Sequence, residues 1–104
     1  MTAFIARLVV KPDRAKEFEA LQTELRNLTH ASEPEAYVYE LWQSQEDAHT
    51  YFCLASFRDQ EAFDRHMTID FHDRLVPPIL ECLASDMELT LCNIIGPGRV
   101  GSGP

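Results

Sequence analysis

The order of strand-like and helix-like segments constrains the fold of this chain most strongly. Segments with the apolar composition of β-strands occupy residues 3–10, 36–43, 50–57 and 87–95. Between the first two, Phe18, Leu21 and Leu25 recur at steps of three and four, which is typical of an amphipathic helix. The short connection at residues 44–49 predicts that the second and third strands form an antiparallel hairpin.

With right-handed crossovers, this order predicts an α+β fold with a ferredoxin-like four-stranded antiparallel sheet and helices on one face. A chain of 104 residues fits one domain, which we assign to residues 3–95. The Gly- and Pro-rich segment 96–104 is predicted to be a flexible tail.

Two short helices are predicted between the third and fourth strands. Asp59 can cap the first helix, which is expected to end near His66, and Thr68 can cap the second. The adjacent prolines Pro77 and Pro78 lie inside the second helical pattern. Because proline lacks a backbone donor and clashes with the preceding turn, we expect a kink or a break there.

The strands are apolar on both faces, although helices can cover only one. On the first strand Phe4 and Leu8 alternate with Ile5. An uncovered apolar face predicts a partner surface, and a second copy packed sheet against sheet is the simplest partner, which gives a homodimer. Arg7 and Glu40 are expected on this second face, where they could pair with each other, pair across the dimer or reach solvent.

Composition argues against several kinds of partner and location. The 17 acidic and 9 basic residues give a net charge of −8, which disfavours nucleic acid. No apolar run approaches the roughly 20 residues that a membrane span needs. The N-terminal segment has a basic residue inside its apolar stretch, which is typical of a strand and not of a signal peptide. Three cysteines without a C-x-x-C pair predict free thiols and a cytoplasmic location.

His66 is the main candidate for a catalytic base. It is expected at the end of a short helix near an apolar strand, and an imidazole with a pKa of about 6.5 suits a general base at neutral pH. The alternative is a helix-terminal histidine stabilised by the helix dipole and without a catalytic role. His72 follows six residues later, between aspartates. That spacing does not place both histidines on one helix face, so no metal site is predicted.

Three segments, EPEAYVYELWQS, ASFRDQEAFDRH and FHDRLVPPI, together resemble the antibiotic biosynthesis monooxygenase family over about residues 3–95. The resemblance implies a dimeric α/β barrel. Family members include cofactor-free oxygenases of quinols and polycyclic phenols, haem-degrading relatives and an isomerase of a sugar phosphate. On this resemblance His66 corresponds to the histidine that the family commonly retains.

The resemblance implies a cofactor-independent monooxygenase acting on a small quinol-like or phenolic aromatic, with His66 as general base. The deprotonated phenol would then react with oxygen directly, without a cofactor. The candidate substrate-binding residues are Arg7, Tyr39, Trp42, Phe57 and Phe71.

Two other functions stay open. Ala55 and Phe57 stand where family members often carry Glu and Trp, which favours a non-catalytic dimeric barrel that binds a small molecule or serves as a stress-related accessory. A sugar-phosphate isomerase is a third possibility, but the acidic composition counts against an anionic substrate.

Overall fold

Four antiparallel strands form one sheet in the order β2–β3–β1–β4. The computed structural model describes residues 2–96. In chain order the elements are β1 (Thr2–Val9), α1 (Ala15–Ser32), β2 (Ala36–Gln43), β3 (Thr50–Phe57), α2 (Gln60–Thr68), α3 (Asp70–Glu81) and β4 (Glu88–Asn93). A 3₁₀ turn at Pro12–Arg14 leads into α1. The predicted α+β, ferredoxin-like architecture is confirmed; most of the predicted tail, residues 97–104, lies outside the described residues.

The alternation along β1 separates the two sides of the sheet. Phe4, Ala6 and Leu8 are at most 8% exposed and point toward the helices. Phe4 lies opposite Ala55 of β3 and Leu91 of β4, so these neighbours share the helix-covered face. Because side chains alternate along a strand, the residues between them point to the opposite side, which we call the outer face.

The outer face carries exposed apolar side chains. Ile5 is 43% exposed and Trp42 is 59% exposed. Ile5 lies opposite Leu54 on β3 and Thr90 on β4. No helix of the described residues covers this face, as expected from the strand pattern. Within residues 2–96, no helix is long and apolar enough to cross a membrane.

Of the alternatives left open for Arg7 and Glu40, a pair between the two within one chain does not form. Arg7 donates to Glu88 of β4 at 3.0 Å, whereas Glu40 accepts from Arg26 of α1 at 3.0 and 3.1 Å. Glu40 also lies 3.0 Å from Nε2 of His30. The sheet order explains the difference: β3 separates β1 from β2, so the two strands are about 10 Å apart. Glu40 instead reaches around the sheet edge to α1.

The boundary between α2 and α3 differs from the prediction. Asp59 caps α2 as expected, because its Oδ1 accepts from the backbone N–H of Ala62 at 2.8 Å. Thr68 does not cap α3. It is the last residue of α2, and its hydroxyl donates to the backbone carbonyls of Asp64 and Arg65. The capping position of α3 is Ile69, whose side chain makes no cap hydrogen bond.

Helix α3 runs continuously through Pro77 and Pro78, so of the predicted kink or break, the break is wrong. The prolines remove the partners of the carbonyls one turn earlier, at Asp73 and Arg74. Both of those residues are exposed. Water can therefore satisfy the freed carbonyls, and the buried side of the helix, with Phe71, keeps its packing.

Candidate active site

An apolar cavity of about 100 Å³ lies between the helix-covered face of the sheet and the helices α1, α2 and α3. Its wall is mostly apolar and includes Phe4, Leu25, Phe63, Met67, Val76 and Leu89. Apolar protein cavities of about 150 Å³ can hold benzene. The cavity is therefore comparable with one aromatic ring, and its few polar wall groups determine what chemistry it can support.

The polar groups on the cavity wall are Gln22, Tyr39, Cys53 and His72. Burial raises the pKa of Tyr39 well above its ordinary value, and it raises the pKa of Cys53 to about 12. The two side chains are neighbours, and each affects the pKa of the other. Both groups are neutral at pH 7, so the thiol of Cys53 is not a nucleophile here.

His66 lies directly behind this wall. It is fully buried on α2 and does not itself line the cavity. Its ring centroid lies 5.0 Å from Tyr39, 5.2 Å from Phe57 and 4.8 Å from His72. Because Tyr39 and His72 are wall residues, one layer of side chains separates the His66 ring from the cavity.

Glu33 holds the other side of the His66 ring. It follows the last residue of α1, and its backbone N–H donates to the carbonyl of Thr29. The Nδ1–H of His66 donates to Oε2 of Glu33 at 2.9 Å, and Glu33 is only 6% exposed. A carboxylate only accepts hydrogen bonds, so we assign the proton to the ring nitrogen that faces it.

His72 forms the part of the wall next to His66. Its pKa is lowered to about 4, mainly because burial disfavours the charged form and also because His66 lies nearby. The imidazole is therefore neutral at pH 7. From their spacing of six residues the two histidines were not expected to share a helix face. They belong to different helices, and the turn at Ile69 brings their rings into T-shaped contact.

The predicted substrate-binding residues fall into three groups. Tyr39 lines the cavity. Phe57 and Phe71 are buried in the core, where Phe57 packs against His66, and neither lines the cavity. Arg7 and Trp42 lie on the outer face, so the structure does not bring them together with His66.

Sequence reasoning missed Glu33, Gln22 and Cys53 and gave His72 no role on its own. The contact between Glu33 and His66 joins residues 33 positions apart, and no local sequence motif predicts it. Within residues 2–96, no three His, Cys, Asp or Glu side chains are grouped so that they could hold a metal ion.

A second hollow, of about 290 Å³, lies between α1 and the edge strand β2. Its charged groups already have partners: Arg26 pairs with Glu40, and the hydroxyl of Tyr51 donates to Glu19 at 2.5 Å. Each charged side chain of its lining already has a hydrogen-bond partner, so the apolar cavity is the better candidate site.

Several solved structures share this architecture. The chain is similar to an antibiotic biosynthesis monooxygenase, with 27% identity, 92% of this chain and 100% of that chain covered, and a TM-score of 0.84. It is similar to a conserved protein from Methanosarcina mazei Go1, with 25% identity, 88% and 89% coverage, and a TM-score of 0.83. For Rv0793 from Mycobacterium tuberculosis the identity is 21%, the coverage 91% and 95%, and the TM-score 0.83, which shows the fold alone.

Among curated proteins, none matches the chain significantly in sequence. The family model described as antibiotic biosynthesis monooxygenase matches residues 1–75, which include β1, α1, the β2–β3 hairpin, His66 and His72. This match covers well over half of the chain of 104 residues. The chain therefore belongs to the antibiotic biosynthesis monooxygenase family.

Proposed function

We propose that this protein is a cofactor-independent monooxygenase that acts on a small quinol-like or phenolic aromatic held in the apolar cavity. One observation carries the proposal: a ring-sized apolar cavity with a buried carboxylate–imidazole pair, Glu33 and His66, one side chain behind its wall. Buried pairs of this kind orient an imidazole as a proton acceptor and stabilise the charge it takes up. Membership of the family supports the reaction class.

In the proposed reaction, the phenolic hydroxyl passes between the wall residues Tyr39 and His72, and His66 behind them is the general base that takes its proton. The electron-rich anion then adds oxygen at a ring carbon, and the peroxide loses water. For a hydroquinone the overall change is hydroquinone plus O₂ to hydroxyquinone plus water, so the substrate supplies all four electrons. The apolar walls exclude water from the anion and the peroxide.

His72 and Tyr39 are proposed to contact the substrate ring, because both line the cavity next to His66. Of the other residues expected to bind substrate, Phe57 and Phe71 are proposed to support the walls from behind. Arg7 and Trp42 are proposed to act at the outer face, in the contact between two copies of the chain.

The test is oxygen consumption with a panel of one-ring and two-ring hydroquinones. His66→Asn keeps an amide donor for Glu33 but removes the imidazole, and we expect turnover to fall by about a hundredfold or more. His49→Ala, in the turn between β2 and β3, is the control and should keep the parent rate. Unchanged oxygen consumption in folded His66→Asn would remove His66 from the mechanism.

A non-catalytic small-molecule-binding protein, including a stress-related accessory, is the second candidate. Ala55 and Phe57 favour it, because both are buried apolar side chains where family members often carry Glu and Trp. The two candidates differ in one measurement. A binder is stabilised against heat by a one-ring aromatic without consuming oxygen, whereas the monooxygenase turns the hydroquinone over.

We further propose that the protein works in the cytoplasm as a homodimer joined through its outer face. The location is supported by three free cysteines, and the dimer by the exposed Ile5 and Trp42 on a face that no described helix covers.

A further inference from the structure

One nitrogen in the core lacks a hydrogen-bond partner. The Nε2 atom of His66 is buried, and no described residue bonds to it. Buried polar atoms without partners are rare in native proteins because each costs free energy. The rings of Tyr39, Phe57 and His72 pack against the His66 ring.

The position of Glu33 determines which nitrogen is left unsatisfied. Glu33 binds Nδ1 of His66 at 2.9 Å, and this hydrogen bond fixes the proton on that atom. In the neutral ring the lone pair is then on Nε2, which makes Nε2 an acceptor. An acceptor enclosed by aromatic rings beside a cavity matches a donor group on an aromatic ligand.

We propose that Glu33 is a positioning residue that holds His66 in its Nδ1–H tautomer, so that Nε2 accepts a hydrogen bond from a hydroxyl on the ligand ring. The hydroxyl enters between Tyr39 and His72, the two wall residues in contact with the His66 ring. The site therefore selects hydroxylated aromatics over apolar rings of the same shape. The proposal rests on the proposed function for the ligand class, but it does not require oxygen chemistry.

A purely structural role for Glu33 predicts something different. Glu33 joins the end of α1 to α2, so its bond to His66 can also be understood as a tether. Glu35 provides a matched comparison because its carboxylate contacts Arg65 of α2 at 3.4 Å and Arg58 at 3.5 Å. If Glu33 is only a tether, replacing either glutamate should change the free energy of unfolding but not the tautomer of His66 or the ligand preference.

The first measurement is the tautomer of His66 from the ring-nitrogen resonances of isotope-labelled protein, assigned with His66→Asn. We expect a protonated Nδ1 and a bare Nε2 in the parent protein. In Glu33→Gln the amide can either accept from or donate to Nδ1, so both tautomers become populated. Glu35→Gln should leave the tautomer unchanged. A protonated Nε2 in the parent protein overturns the proposal, even if no Glu33 variant folds.

The second measurement compares the binding of phenol and toluene, which have similar shapes but differ in the hydroxyl donor. We expect the phenol preference to fall by about tenfold in Glu33→Gln and to persist in Glu35→Gln. An unchanged preference in folded Glu33→Gln also overturns the proposal.

These results separate the inference from the proposed function. If the tautomer and the phenol preference behave as expected but no hydroquinone supports oxygen consumption, the monooxygenase proposal fails and the role of Glu33 stands. If oxygen is consumed but Nε2 carries the proton, the role of Glu33 fails alone.

Discussion

At the scale of single residues, two neighbouring histidines have different environments. His66 faces a carboxylate on one side and aromatic rings on the other, whereas His72 lines an apolar cavity and no acid within residues 2–96 is hydrogen-bonded to its ring. Side chains of one type can thus serve different roles within one site, since the surroundings determine which form of each is stable.

The lowered pKa of His72 predicts acid sensitivity. In the unfolded chain its pKa is near the ordinary value of 6.5, while in the fold it is about 4. Between these values the unfolded state binds more protons, so the free energy of unfolding falls as the pH decreases from 6.5 toward 4. His72→Phe should remove part of this decrease, measured by urea unfolding at pH 7 and pH 5. Equal pH dependence in both proteins would contradict the assignment.

Residue-level chemistry was partly predictable. His66 could be selected from its place after an apolar strand and a capped helix, and Tyr39 from its aromatic strand. Glu33 could not, because its contact with His66 spans 33 residues and depends on how α1 ends beside α2. His72 was given no role because its distance of six residues from His66 was judged as if both lay on one helix, whereas they lie on α2 and α3.

At the scale of elements, capping decides where α2 begins. Asp59 satisfies the backbone N–H of Ala62 and starts the helix that carries His66. Asp59→Ala should lower the free energy of unfolding by about 1 kcal/mol, measured by urea unfolding at pH 7. Asp59→Asn, which keeps a side-chain acceptor, should recover most of the loss. An Asn variant as unstable as the Ala variant would point to the Arg58–Asp59 ion pair instead.

The errors at this scale have a common origin. Thr68 is a residue type that favours a helix N-cap, and Pro77 and Pro78 are residues that favour a helix break. Neither local preference determines the structure at these positions. Thr68 stays helical, and α3 continues because its freed carbonyls belong to exposed residues while Phe71, Leu75 and Ile79 are buried by packing. Burial of one helix face outweighs a local preference when water can satisfy the groups on the other.

At the scale of the whole molecule, the outer face predicts association. Ile5 lies at its centre and is 43% exposed; Leu80 on α3 is 44% exposed but lies on the opposite side of the sheet. We expect a dimer in sedimentation at micromolar concentration. Ile5→Glu should shift it to monomer, because a charge would be buried in the contact, and Leu80→Glu should not. A monomeric parent protein would remove the dimer proposal.

From the amino-acid sequence one could predict the order of elements, the ferredoxin-like sheet, the two apolar faces and the candidate base His66. These follow from periodicity and turn chemistry, which act over a few residues. The pairing of charges, the place of the cavity and the groups around the base became known only from the packing of strands and helices. Arg7 binds Glu88 and not Glu40, and Glu33 meets His66, because strand order and helix packing bring together residues that are distant in the chain. Contacts of this kind depend on the whole fold.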